Sequence, residues 1–427
     1  MTIKQLYELY LKYPKVSTDT RKIEVNSLFF ALKGERFNGN IFAQEALAKG
    51  AAYAIIDEPN YQTKHTILVK NVLQTLQDLA KYKRSQFSIP VIAVGGSNGK
   101  TTTKELTYKV LAKKYKAFAT QGNLNNHIGV PLTLLDMPHD TEIAVIELGA
   151  NHLEETYALC QIAQPTHGIV TNIGLDHLEG FGSIEGVMRA NAELYEYLAQ
   201  NNGIAFVNTS EKLLLEALKN FPNLQKITYP QANDYFSATL LENDFFIKIQ
   251  VKEQEISTQL FGAYNFANAA AALCIGQFFE VEPSLAYQAI AEYVPQNMRS
   301  QVIQQGTNTI ILDAYNANPS SMEQAIRQFA KIKGEKKVLI LGMMNELGAT
   351  SPQEHEKLGK LIAQYNFSTI ILFGEDMKYA LSHLPQAYYF TDKFSLHNWL
   401  QDHKINESQV LIKGSRSMQL ETVVQFL

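Results

Sequence analysis

The sequence predicts a three-domain α/β protein, and three observations carry that expectation. At 427 residues the chain is longer than one hydrophobic core usually supports. Short apolar runs alternate with helix-length amphipathic segments along most of its length, the pattern of parallel strands joined by crossover helices. The third observation is local: in VIAVGGSNGKTTTKE, Val91 to Glu105, an apolar strand passes through a glycine-bearing turn directly into a helix.

From Ser27 to Asn71 the runs LFFAL, AAYAIID and TILVK enclose a loop, GERFNGN, and a helical stretch around Phe42 to Lys49. They predict a small N-terminal α/β domain over residues 1–86, closed by the amphipathic segment Val72 to Ser85 and a link through Gln86 to Pro90. The central domain, residues 87–305, runs through VIAVG, EIAVIEL, HGIVTNI and GIAFVNT, which read as a mostly parallel sheet. Within it, Tyr235 to Val251 reads as a β-hairpin around Glu242, Asn243 and Asp244, and Ala263 to Phe279 as a helix with a small-residue face. In residues 306–427, TIILDAY, KKVLILG, STIILFG and QVLIKG alternate with helices, as in a compact doubly wound, Rossmann-like α/β domain without a glycine fingerprint of its own.

Composition narrows the partners. A net charge of -4 and a pI near 6.2 give no broad electrostatic footprint for nucleic acid or an anionic membrane, so any anionic ligand must be held locally. Cys160 and Cys274 are too far apart to suggest a disulfide framework or a thiolate metal site, and read as buried small apolar residues. The N-terminal MTIKQLYELYLKYPK lacks the apolar core of a signal peptide, and no apolar run approaches the ~20 residues that span a bilayer. A soluble cytoplasmic protein is expected, without membrane insertion or a nucleic-acid partner, and a monomer.

The turn after VIAVG gathers backbone N–H groups, an ammonium and a hydroxyl at a helix N-terminus, where the macrodipole favours negative charge. It reads as a phosphate cradle and makes the central domain phosphate-loop ATPase-like. Gly96, Ser97, Asn98, Gly99, Lys100, Thr101 and Thr102 are the nucleotide-binding candidates. Glycine permits the tight path, Lys100 reaches the outer phosphates and the Thr101 hydroxyl suits Mg2+. Val94 stands where the longer GxxxxGK[ST] pattern requires its first glycine, leaving GSNGKT; an ordinary strand-to-helix turn is the bland alternative. ATP and Mg2+ are the cofactors expected.

Other candidates sit after neighbouring strands. Glu147 ends AVIEL, where a carboxylate faces the same crevice and suits Mg2+. His177, in NIGLDHLEGFGS, follows another strand and is a second metal candidate, although a loop histidine is the plainer reading. Asn125 and Asn126, in QGNLNNHIGVP, offer amides to a substrate phosphate or sugar. Asn265 and Asn268 lie three apart on one helix face, suited to an adenine edge. Asp313, in LDAYNANPSSM, suits ribose hydroxyls, with Tyr315 and Asn316 beside it.

In this order GSNGKTTTKE, GNLNNHIGVPLTLL, ELGANHLEE, HLEGFGSIEGV, GAYNFANAAAA, DAYNANPSSM and KGSRSM resemble the Mur ligase family, the ATP-dependent amide-forming enzymes of peptidoglycan precursor synthesis. DAYNANPSSM with KGSRSM resembles the branch that adds D-alanyl-D-alanine to a UDP-N-acetylmuramoyl-tripeptide. The resemblance implies catalytic roles for Lys100, Glu147 and His177, with Thr101, Glu147 and His177 at the metal. It implies nucleotide contacts from Asn265, Asn268, Arg299, Asp313 and Tyr315. Substrate contacts would come from Ser17, Thr18, Asp19 and Arg21 in STDTRK, from the loop around Gly34 to Asn40, and from Lys413, Ser415 and Arg416 at the C-terminal face of the cleft. Without the resemblance, KGSRSM reads as a surface loop.

Three positions depart from the family's pattern. Asn191 stands where a lysine carbamylated by CO2 is common, Met343 where an aspartate is usual and Asn40 where a histidine is usual. A binding-only paralogue and a folate-extending amide ligase are therefore alternatives, the second opposed by the N-terminal domain and by DAYNANP. A phosphate-loop switch or motor would lack a separate acceptor domain.

Overall fold

The chain opens with a small parallel sheet in the order Lys15–Ser17, Ser27–Phe30, Tyr53–Ile56, Thr66–Leu68. The structure, a computed structural model, describes residues 1–241 and 245–427. Helix Ile3–Lys12 starts at a capping box between Thr2 and Gln5, and helix Val72–Arg84 starts at Asn71, whose side chain accepts from Gln74 N at 2.8 Å. Such caps satisfy otherwise orphaned N–H groups and contribute about 1 kcal/mol each.

Helix Val72–Arg84 also joins the first sheet to the central domain. Its apolar side, with Leu76, Leu79 and Ala80, belongs to one continuous core that holds Leu28 and Ile55 of the first sheet and Val130, Leu134 and Leu159 beyond it. Lys83 donates to Leu135 O and Met137 O, and Arg84 to Ala163 O and Gln164 O. The segment expected to close the N-terminal domain is thus a packed joint.

The central sheet is parallel throughout, in the order Gln225–Tyr229, Ile204–Asn208, His167–Val170, Val91–Gly95, Ile143–Glu147, Ala117–Ala119. Val91–Gly95 and Ile143–Glu147 are buried along their whole length, as continuous apolar runs in a sheet covered on both faces must be. Their adjacency sets the phosphate loop, Glu147 and the loop after His167–Val170 along one sheet edge. Helix Asn265–Phe278 packs its alanine face against helix Lys100–Leu111, so closely that a Cβ on Gly276 would come within 2.5 Å of Val110. Thr239–Leu241, Phe246–Val251 and Gln254–Phe261 form an antiparallel sheet; the expected turn at Glu242, Asn243 and Asp244 lies outside the described residues.

The C-terminal sheet runs Gln301–Gln305, Asn308–Asp313, Gln409–Lys413, Lys337–Gly342, Thr369–Phe373, Tyr388–Phe390. Gln301–Gln305, expected to finish the central domain, instead pairs antiparallel with Asn308–Asp313 as its edge strand. The boundary placed after residue 305 is corrected to before Gln301. QVIQQ has only Val302 and Ile303 between glutamines and no buried residue, so no apolar run marked it as a strand. Ala117–Ala119, Gln225–Tyr229 and Tyr388–Phe390 are likewise edge strands, the first and last only three residues long, too short for a run to stand out. Among the described residues no helix is long and apolar enough to cross a membrane, and Cys160 and Cys274 are free and buried.

Candidate active site

The phosphate loop has a path open only to glycine at two points. Gly96 has φ 119° and Gly99 φ 80°. A Cβ on Gly96 would stand 2.1 Å from Thr171 Oγ1, and one on Gly99 2.5 Å from Asn268 Oδ1. The neighbouring strand fixes the rest: Thr171 Oγ1 and Asn172 Nδ2 both donate to Asn98 O, at 2.6 and 2.9 Å, and Ser97 Oγ donates to the buried Asp176 carboxylate at 2.8 Å. Lys100 Nζ folds over the loop onto Gly96 O at 2.5 Å and Ser97 O at 3.1 Å. Thr101 and Thr102 continue the helix below it.

Glu147 is 1% exposed, and its Oε1 accepts from Thr101 Oγ1 at 3.1 Å and from Asn125 Nδ2 at 2.8 Å. Its Oε2 is buried with no hydrogen-bond partner among the described residues, a costly condition for a carboxylate. A hydroxyl beside an unsatisfied buried carboxylate oxygen fits Mg2+, which takes oxygen ligands and usually keeps phosphate and water in its shell. The protein's own set is small: no group of three or more His, Cys, Asp or Glu suited to a metal occurs among the described residues.

His177 lines the same cleft but faces another partner. In a left-handed conformation (φ 45°), it sets Nδ1 2.5 Å from Glu346 Oε2 on a C-terminal loop. That contact holds the Glu346 carboxyl below its ordinary value, with Lys100 adding in the same sense. That nitrogen therefore faces Glu346 of the C-terminal domain.

Across a cleft of about 410 Å³, the C-terminal side supplies Arg299, Asp313, Tyr315, Asn316, Lys413 and Arg416. The Arg299 guanidinium stacks 3.9 Å from the Tyr315 ring centre, and its Nε is buried without a hydrogen-bond partner among the described residues. Asp313, expected to be free for ribose, accepts from Ser300 N at 3.1 Å and from Lys413 Nζ at 2.6 Å. Lys413 is 2% exposed, so KGSRSM does not begin as a surface loop. Arg416 is half-exposed and pairs with Glu421 at 2.5 Å. Ser415 stands behind the cleft, accepting from Asn345 N at 2.9 Å.

Asn265 and Asn268 border the cleft with their amides engaged. Asn265 Nδ2 donates to Phe261 O, Asn268 Nδ2 to Asn265 Oδ1, and Thr103 Oγ1 to Asn268 Oδ1, a buried chain that braces the phosphate-loop helix. Asn126 closes the turn that leads into helix Gly129–Asp136, its Oδ1 accepting from Ile128 N and Gly129 N. Ser17, Thr18, Asp19 and Arg21 lie at the end of Lys15–Ser17, outside this cleft, with Arg21 paired to Asp19 at 2.7 Å. Asn40 is buried in a network with Asn38 and Asp57, and Asn191 donates to Val187 O at 2.9 Å in a small crevice beside Gly96 and Lys100. Met343 packs on Gly374 and carries no charge to the cleft.

Four site residues carry no clear signal in the sequence. Asn318 Nδ2 donates to Asn98 Oδ1 at 2.9 Å and Leu175 N to Ser320 Oγ at 2.9 Å, docking helix Pro319–Lys331 on the phosphate loop and its neighbour. Both lie in DAYNANPSSM, which flagged the segment but not these side chains. Lys104, one turn after Lys100, lies 3.8 Å from Glu147 Oε2, and KTTTKE marked it only as a helical lysine. Nothing in LGMMNELG distinguishes Glu346.

Family models described as the Mur ligase family catalytic domain, the Mur ligase middle domain and the Mur ligase glutamate ligase domain match residues 12–86, 94–276 and 298–416. The chain is 35% identical to the UDP-N-acetylmuramoyl-tripeptide--D-alanyl-D-alanine ligase of Bacillus subtilis, covering 96% of this chain and 92% of that protein. It is similar to a crystal structure of MurF from Acinetobacter baumannii, with a TM-score of 0.89 at 30% identity over 99% of this chain and 98% of that one. It is also similar to MurF from Thermotoga maritima in complex with ADP, with a TM-score of 0.84 at 26% identity over 97% of each chain.

Proposed function

Because the chain belongs to the Mur ligase family, we propose that it uses ATP to join D-alanyl-D-alanine to a UDP-N-acetylmuramoyl-tripeptide, in the cytoplasm and as a monomer. The observation that carries this reading is one cleft with two faces: a phosphate loop beside a buried carboxylate on the central sheet, and Arg299, Tyr315 and Lys413 opposite.

Lys100 and the loop amides would grip the outer phosphates, and Arg299 stacked on Tyr315 presents a cation and a ring to the nucleotide. Thr101 and Glu147 would hold Mg2+, which would offset the negative charge of the phosphates. The γ-phosphoryl passes to a terminal carboxylate oxygen of the tripeptide, giving an acyl phosphate and ADP; the D-alanyl-D-alanine amine then attacks the acyl carbon and inorganic phosphate leaves. Positioning and charge neutralisation do most of this work. Lys413, held by Asp313, puts a fixed ammonium on the far wall, where charge develops on the leaving phosphate. Docking of Pro319–Lys331 on the loop excludes water, which would otherwise hydrolyse the acyl phosphate. Asn125, Asn126, Asn316 and Arg416 are the substrate contacts proposed near the reacting end, and Ser17, Thr18, Asp19 and Arg21 those for the nucleotide-sugar end.

Phosphate release from ATP tests the reading. It should require the UDP-tripeptide and rise with D-alanyl-D-alanine, with the coupled product formed in equal amount. Release that ignores the dipeptide defeats the assignment, and binding of the UDP-tripeptide without any release identifies a binding-only paralogue.

A further inference from the structure

Lys104 is 2% exposed in the first turns of helix Lys100–Leu111. Its ammonium donates to Thr120 O at 2.8 Å and reaches Gly122 O at 3.5 Å. Those carbonyls hold it 3.8 Å from Glu147 Oε2 and 3.8 Å from Glu105 Oε1. Thr120 is tied to the carboxylate from the other side, because its hydroxyl accepts from Glu147 N at 2.9 Å. Ammonium and carboxylate therefore belong to one rigid frame, near enough for their charges to cancel and too far apart for Lys104 to occupy the lone pairs of Oε2. The oxygen stays unsatisfied although a cation stands beside it.

We propose that Lys104 is a positioning residue that prevents the Glu147 site from taking a free divalent cation, so that the metal enters only with a nucleotide triphosphate. A bare dication gains little from a neutral buried pair and is repelled by the fixed ammonium at short range. A metal–triphosphate complex carries net negative charge, which the same ammonium attracts. The inference rests on the reading of Glu147 as a metal ligand.

Mn2+ binding to the full chain, monitored by the electron paramagnetic resonance of the free ion, tests it with and without a non-hydrolysable ATP analogue. Wild type should bind Mn2+ tightly only with the analogue. Lys104→Gln keeps a donor for Thr120 O but no charge, and should bind nucleotide-free Mn2+ about tenfold more tightly or better; Lys104→Arg should behave as wild type. The gain should vanish in K104Q/E147Q. Lys100 and Arg299 keep their charges in every variant, so the change reads Lys104 alone. No gain in folded K104Q, together with tight analogue-dependent binding that E147Q abolishes, overturns the proposal while sparing the metal reading. Analogue-dependent binding indifferent to E147Q overturns both. Tight nucleotide-free binding by wild type that E147Q abolishes overturns the proposal without any Lys104 variant, so a K104Q that fails to fold does not shield it.

Discussion

Asn191 places a neutral amide where related ligases commonly form a carbamate, and that amide is already bound to Val187 O. An amide cannot take up CO2, so activity in CO2-depleted buffer should equal activity with added bicarbonate. Stimulation by bicarbonate would show that another lysine forms the carbamate. Gly96 offers a sharper test, since it combines φ 119° with a Cβ position 2.1 Å from Thr171 Oγ1. Gly96→Ala should force the loop off its path at a cost of about 1–3 kcal/mol. Nucleotide-analogue affinity by calorimetry should fall at least as far as the melting temperature implies, and an unchanged affinity would mean that the loop amides do not bind the phosphates.

At the scale of elements, helix Val72–Arg84 carries a buried cation into the joint between the first two sheets. Lys83 donates to Tyr10 OH, Leu135 O and Met137 O, all neutral oxygens, and burial pulls its ammonium down to about 8. Between that value and the ordinary lysine range near 10.4, the unfolded chain holds a proton that the folded chain has released. Stability should therefore rise with pH across that window, and the penalty is fully present below about 8. Urea midpoints from pH 7.5 to 10.5 check the sign against Lys83→Met, in which this rise should disappear. A midpoint in wild type that does not rise relative to Lys83→Met would show that Lys83 stays charged in the fold.

For the whole molecule, the central and C-terminal domains meet on an apolar patch, where Leu178 and Phe261 join the C-terminal core, and on polar contacts beside it. Asn318 to Asn98, Ser320 to Leu175 N and Glu346 to His177 join loops at the mouth of the cleft. Each of these polar contacts adds little to that packing, and they are the ones at the cleft mouth that must part when the domain opens for substrates. Glu346→Gln with Asn318→Ala should favour open forms, seen as a larger radius of gyration in X-ray scattering without ligands. It should lower coupled turnover about tenfold while leaving the UDP-tripeptide affinity unchanged, since the N-terminal contacts are untouched. Unchanged scattering and turnover together would show that these contacts accompany closure and do not drive it.

The sequence by itself determined the strands buried on both faces and the glycine loop between strand and helix. Val91–Gly95 and Ile143–Glu147 are legible because continuous apolar runs have no stable place outside a covered sheet, and Gly96 and Gly99 because no other residue adopts that backbone path. Edge strands such as Gln301–Gln305 were not legible, since half their surface faces water and their composition does not depart from that of a loop. Only the tertiary structure decided which polar groups meet. Glu147, Lys104 and Thr120 come from separate elements, as do His177 and Glu346, and side chains far apart in the chain become partners only when packing fixes their distance. A motif names the residues that can do chemistry, while the charge each one feels depends on neighbours that sequence spacing does not encode.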